Sequence, residues 1–208
     1  MRVLWLVNVK LPEVSYICSE KPQPYGGWLA GASTSLVSCN NLELAVAFPE
    51  SKNKKIKKYE GKKIHYYGYP GYNSIKSSLL FYKRLLKEIL TDFKPDIVHI
   101  FGTEFTHSLL MSSICKENGV AFVLSIQGLV SQIANYYYAD LPYKVIYGCT
   151  LRNIIKKDPI FMQRKDMIKR GRIEIESINK ANNIIGRTTW DKACIAQINP
   201  EARYFHCN

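Results

Sequence analysis

Asp96-Ile97-Val98-His99-Ile100-Phe101-Gly102-Thr103-Glu104 is the stretch whose reading decides the fold. A short apolar run stops at a glycine, opens onto a polar turn, and is followed by a helix-like run from Phe105 to Asn118. In open parallel α/β sheets, ligands sit in the crevice outside the carboxyl ends of the strands, where such turns lie. On that reading His99, Thr103 and Glu104 face a pocket, while Ile97, Val98 and Ile100 hold the strand in the sheet. The same residues also allow a plainer assignment, with His99 in the core and Glu104 as a first-turn helix carboxylate.

Working back from this stretch, Pro95 ends a run in which Ile75, Leu79, Tyr82, Leu86, Ile89 and Phe93 recur at helical spacing. Before it, strands are expected at Val3–Val7, Glu43–Phe48 (closed by Pro49) and Ile64–Tyr67 (ended by Gly68, Pro70 and Gly71). Leu11 to Tyr25 reads as a proline-bearing loop. A helix of small residues runs from Gly26-Gly27 to about Cys39, with Trp28 read as buried in it. Ser51 to Lys63, with seven lysines, reads as a solvated loop.

Working forward, Val120–Ile126 is a fifth strand running into Gln127-Gly128. Residues 129–170 form a basic, aromatic-sprinkled helical segment. A helix is expected from about Arg172 to Ala181, then a strand at Asn183–Gly186 and a helix opened by Thr188 or Thr189. A last strand spans Ala202–Cys207. Strands alternating with helical connections imply one α/β domain over 1–208, with a doubly wound, mostly parallel, Rossmann-like sheet and flanking helices.

A chain of 208 residues that is 47% hydrophobic buries a sizeable core, which excludes disorder over most of its length. The net charge of +12 favours anionic partners. Six cysteines with no C-x-x-C pair exclude a zinc framework and point to reduced, mostly buried thiols. Val3–Val9 is too short for a signal peptide and no window approaches a membrane span, so a cytoplasmic protein is expected. No metal cluster, Walker A or G-x-S-x-G elbow is present, and neither metal nor cofactor is expected.

Three turns carry candidate chemistry. Gly26-Gly27 leaves backbone amides free to meet a phosphate at a helix N-terminus, or is a bare turn. Gln127, with Gly128 after it, has the donor and acceptor pair that sugar hydroxyls need, or is a plain loop residue. Arg187 adds a forked cation to an anion site, or makes a surface salt bridge. The basic stretch Lys144 to Arg172, with apolar residues interleaved, fits an anionic lipid face or a further domain.

Taken together, the glycine pair after strand one, D-I-V-H-I-F-G-T-E, S-I-Q-G-L and I-I-G-R-T-T-W-D resemble the N-terminal domain of the retaining glycosyltransferases of family four. That resemblance covers essentially the whole chain and implies one half of a GT-B fold. It implies a nucleotide-sugar donor, gripped mainly by a second domain, and a glycan or lipid-linked acceptor. It places Gly26 and Gly27 near the donor phosphates, with Gln127, Gly128 and Arg187 also on the donor side. His99, Gly102, Thr103 and Glu104 fall on the acceptor side, where the last three are expected to touch acceptor and His99 to point into packing. The family often has a histidine where this chain has Gln127. Its E-x7-E donor motif, in the second domain, is not in these 208 residues, so the chain alone is expected to be inactive, with sugar transfer belonging to a longer parent. The cytoplasmic leaflet, met through the basic face, is the expected place of work. The alternatives are an anion- or nucleic-acid-binding α/β module without catalysis and a free-standing flavodoxin-like domain. Nucleic acid is not the expected partner, because no stacking motif or recognition helix accompanies the charge.

Overall fold

The computed structural model describes residues 1–50, 55–71, 79–156 and 158–207. Lys52 and Lys54 of the lysine run, Ile75 of the helical pattern and Lys157 of the basic stretch lie outside them.

The first strand, β1 (Arg2–Leu6), is apolar on both faces and lies mid-sheet, flanked by β2 (Glu43–Glu50) and β5 (Ile97–Phe101), both parallel to it. Outward from β2 come β4 (Ile64–Pro70) and the antiparallel edge strand β3 (Lys57–Glu60). On the other side lie β6 (Ala121–Ser125), β7 (Asn183–Gly186) and β8 (Arg203–His206), all parallel. The order β3-β4-β2-β1-β5-β6-β7-β8 therefore reverses direction between β1 and β5. That reversal is a topological switch point, where adjacent connections leave the sheet on opposite sides and open a crevice.

The helices form two layers. One face of the sheet (Leu4, Leu6, Ala47, Val98, Ile100, Leu124) packs under α3 (Leu79–Phe93), α4 (Thr106–Asn118), α8 (Ile160–Lys180) and α9 (Thr189–Ile198). The other (Val3, Trp5, Val7, Val46, Phe48) packs under α1 (Pro12–Ile17) and α2 (Gly27–Leu36). Residues alternate between the two clusters because successive side chains of a strand point to opposite faces. Three short helices, α5 (Val130–Asn135), α6 (Tyr143–Ile146) and α7 (Leu151–Lys156), fill the β6–α8 connection.

Several expectations give way here. The loop from Leu11 contains α1, because Pro12 stands at the first helical position, where a proline has no helical amide bond to lose. Pro49 does not close β2, since β1 stops flanking it at Ala47 and a proline then fits, paired with Tyr69 of β4. β4 likewise runs through Gly68 to Pro70. The lysine run contains β3, and its Lys57 and Lys58 guard a sheet edge against further pairing. The helix expected from Arg172 starts at Ile160, and Gly171 does not break it: a Cβ there would stand 2.8 Å from the Ser131 Cα, so the glycine lets α5 approach α8. Of the six thiols only Cys115 is buried, and Cys39, Cys149 and Cys207 are exposed.

At the start of α2, Gly26 has φ +82° and a Cβ there would stand 2.9 Å from Val9 Cγ2. Gly26→Ala is therefore expected to cost about 1–2 kcal/mol, because the left-handed region penalises a side chain. Gly27 has open space in place of its Cβ, so Gly27→Ala is expected to be close to neutral. Urea midpoints of the two variants check the pair, and equal midpoints would refute the strain assignment.

Candidate functional site

The crevice at the switch point is a cavity of about 370 Å³ at the carboxyl edge of the sheet. Its walls come from β1 (Trp5), α2 (Trp28, Ala32), β5 (His99, Phe101), the end of β6 (Ser125 to Gln127), the end of β7 (Ile185 to Arg187) and Cys207 after β8. Aromatic rings build its floor. His99 stacks on Phe101 at 3.8 Å between centroids, Trp5 meets Phe101 edge-on at 5.0 Å, and Trp28 leans on Phe101 at 5.5 Å. Trp28 was expected inside the helix packing but is half exposed, because α2 borders the cavity instead of covering it.

Burial pulls His99 down to about 4, so its ring is neutral near pH 7. Its Nε2 lies 2.6 Å from the Ser125 hydroxyl, and the tautomer sets which of the two donates. A neutral, hydrogen-bonded imidazole in an apolar wall can exchange hydrogen bonds but carries no charge to offer an anion. The groups suited to an anion sit at the rim. Arg187 is exposed there, and the turn carrying it is fixed by a capping box: Asp191 Oδ2 accepts from the amides of Arg187 and Thr188, while the Asp191 amide donates to Thr188 Oγ1. Gln127 is exposed on the same rim. Gly27 opens α2, where the Gly27 and Trp28 amides precede the first helical bond, made by the Leu29 amide to the Gly26 carbonyl, and nothing stands within 4 Å of its missing Cβ.

The residues singled out from sequence thus separate into two groups. His99, Gln127 and Arg187 meet around the cavity, Gly128 follows Gln127, and Gly26 and Gly27 begin the helix that borders it. Gly102, Thr103 and Glu104 turn away from it. Gly102, at φ +88°, packs against the Phe105 ring, and Thr103 is fully buried, its hydroxyl donating to Glu174 Oε2 at 3.0 Å. Glu104 is partly buried and accepts from the Thr103 amide, and burial raises its pKa. The contrast with the sequence expectation is geometric. His99 and Phe101 share the face that opens onto the crevice, whereas the positive φ of Gly102 swings the following residues under α8.

Glu174 is the residue sequence reading missed. Fully buried on α8, it accepts from Thr103 Oγ1, the Val130 amide, the Ser131 amide and Ser131 Oγ, all within 3.0 Å. It thereby caps α5 and ties the β5 turn to α8. A glutamate in a basic helix gives no such signal in a single sequence. Phe101, by contrast, stands two residues from His99 on a strand, and that spacing alone puts the two rings on one face.

An open, mostly parallel sheet with a polar-rimmed aromatic cavity at its switch point defines a Rossmann-like domain. No protein-family model and no curated protein matches the chain. Solved structures do. Sucrose-phosphate synthase from Thermosynechococcus elongatus aligns with 100% of this chain and 48% of its own, at TM-score 0.56 and 9% identity. An E. coli trehalose-6-phosphate structure bound with UDP-2-fluoro glucose aligns with 95% of this chain and 42% of its own, at 0.52 and 12%. UDP-GlcNAc 2-epimerase from Methanocaldococcus jannaschii aligns with 99% and 45%, at 0.51 and 9%. At these identities the likeness is one of fold: the chain has the fold of one half of a GT-B enzyme. It spans less than half the length of each of these structures.

Proposed function

We propose that this chain is the N-terminal, acceptor-side half of a retaining glycosyltransferase of family four, one that uses a nucleotide-sugar donor in polysaccharide synthesis. A glycan or lipid-linked molecule is the acceptor, and a second domain grips most of the donor and closes the cleft. The cavity at the β1/β5 switch point carries this reading, because its rim offers a guanidinium, a carboxamide and a helix N-terminus above an aromatic floor. A diphosphate suits the guanidinium and the free amides, and a sugar ring suits the carboxamide and the aromatic faces. Catalysis in such a cleft comes from positioning the two substrates and stabilising the departing diphosphate, so this half alone binds weakly and transfers nothing.

Tryptophan fluorescence tests this directly, since Trp5 and Trp28 line the cavity. A panel of nucleoside diphosphate sugars is titrated into the chain, and at least one is expected to quench, with the response reduced in Trp28→Phe. Arg187→Ala is expected to weaken that binding roughly tenfold, the worth of one charge-assisted hydrogen bond, with Gln127→Ala weakening it less. If no member of the panel perturbs the fluorescence, or if Arg187→Ala leaves affinity unchanged, the reading is overturned.

A further inference from the structure

A second surface stands apart from the cavity. In the connection between α5 and α8, the sixteen residues from Leu141 to Lys156 contain no carboxylate and carry Lys144, Arg152 and Lys156. All three cations are exposed, and among the described residues none of them enters an ion pair. The apolar residues interleaved with them are also exposed. Tyr143 and Leu151 are each 80% accessible and Ile155 is 77%. Leu151 and Ile155 lie four residues apart on α7 and share a face, and Arg152 and Lys156 share the adjoining one. The α6 end of this platform is held to the body of the protein. Ile146 is buried, Tyr147 stacks on Phe161 of α8 at 6.1 Å, and Tyr143 stacks on Tyr147 at 6.3 Å.

We propose that α6 and α7 form a docking surface for an anionic phospholipid bilayer. Their aliphatic and tyrosine side chains enter the headgroup boundary, while Lys144, Arg152 and Lys156 meet the acidic headgroups. The composition selects this occupant. Tyrosines favour the membrane interface, where ring and hydroxyl are both accommodated. Three cations with no acidic neighbour in the segment complement a negative leaflet, where each basic residue strengthens attachment. A partner protein covering the same face would leave those cations without counter-charges unless it were acidic at each of three places. Among the described residues no helix is long and apolar enough to cross a membrane, so attachment here is to the surface.

Sedimentation of the purified chain with vesicles tests this, independently of any sugar binding. Phosphatidylcholine vesicles with phosphatidylglycerol are expected to pellet the protein at low salt and release it at high salt, and phosphatidylcholine alone is expected to leave it in solution. The triple variant Lys144→Glu, Arg152→Glu, Lys156→Glu is expected to bind the anionic vesicles roughly 100-fold more weakly or worse. Leu151→Ser with Ile155→Ser is expected to weaken binding roughly 100-fold or more, the worth of two buried aliphatic side chains, with an unchanged circular dichroism spectrum. Four results would overturn the assignment. They are equal pelleting with neutral and anionic vesicles, variants that bind like the parent, tighter binding to an oligonucleotide with none to vesicles, and a dimer that the Leu151/Ile155 variant converts to monomer without any vesicle binding.

Discussion

Glu174→Ala is expected to destabilise the chain by roughly 3–5 kcal/mol, a large part of what a domain of this size has available. The glutamate is fully buried and accepts four hydrogen bonds, so its removal does more than delete one group. It strands donors. The hydroxyls of Thr103 and Ser131 can turn to new partners, but the amides of Val130 and Ser131 cannot. They are fixed at the first turn of α5, where no helical carbonyl reaches them. A buried amide without an acceptor costs about 1–3 kcal/mol, and the cavity left by the side chain adds to it. Glu174→Gln keeps one acceptor oxygen but turns an NH₂ toward two donors, so roughly half the loss is expected. Thr103→Val removes only one donor together with its need, and about 1 kcal/mol is expected. Urea unfolding of the three variants should give this order. A Glu174→Ala midpoint within experimental error of the parent would mean that water replaces the carboxylate and that Glu174 does not hold α5 to the β5 turn.

What the sequence disclosed and what it concealed divide along a physical line. Features written in local pattern were legible: the apolar run of β1, the three- and four-residue spacing in α3, and a threonine cap beside Arg187, which the structure assigns to the first of the two candidates, Thr188. These depend on residues a few positions apart. Features that depend on which elements meet were not. Nothing near Lys57 says that it will pair with Gly68 at a sheet edge, and nothing near Gly171 says that Ser131 will approach it. The same line runs through the site. Gln127 and Arg187 reach the cavity rim because each follows a strand, and the end of a parallel strand is where a crevice opens at the sheet. Thr103 was placed at the cleft by the same rule, yet the left-handed turn at Gly102 directs it to Glu174, 71 residues along the chain. His99, which the sequence left between cleft and packing, lines the cavity because β5 stands at the switch point and α2 borders the crevice without covering it.

Acid is expected to unfold this protein in a window set by His99 and His107. Burial pulls both rings down to about 4 from the ordinary histidine value near 6.5. His107 is stacked on Phe105 at 5.1 Å, and its Nε2 has no exposed area and no hydrogen-bond partner. In the unfolded chain each ring takes up a proton as pH falls below about 6.5, whereas in the folded protein it does not until about 4. The unfolded state therefore binds more protons throughout that interval, and stability falls as pH falls through it. Above about pH 7 the effect is flat, and below about 4 the two rings add nothing further. Each histidine changes stability by about 1.4 kcal/mol per pH unit inside the window, or about 3 kcal/mol across it. Glu104 opposes this, since burial raises its pKa and the folded state then holds its proton more readily. Asp92 lies outside the window, because Lys58 and Tyr67 hold its carboxyl below the ordinary range and its contribution is lost only in stronger acid. Urea midpoints measured from neutral pH down to about 4 should therefore fall steeply, and a flat profile would contradict the burial assigned to both rings. His99→Gln separates the two contributions. Glutamine does not titrate and still offers Ser125 a hydrogen-bond partner, so this variant should keep the parent's stability at neutral pH and lose about half the acid slope. The half that remains belongs to His107, whose unpartnered nitrogen gives a proton nowhere favourable to sit.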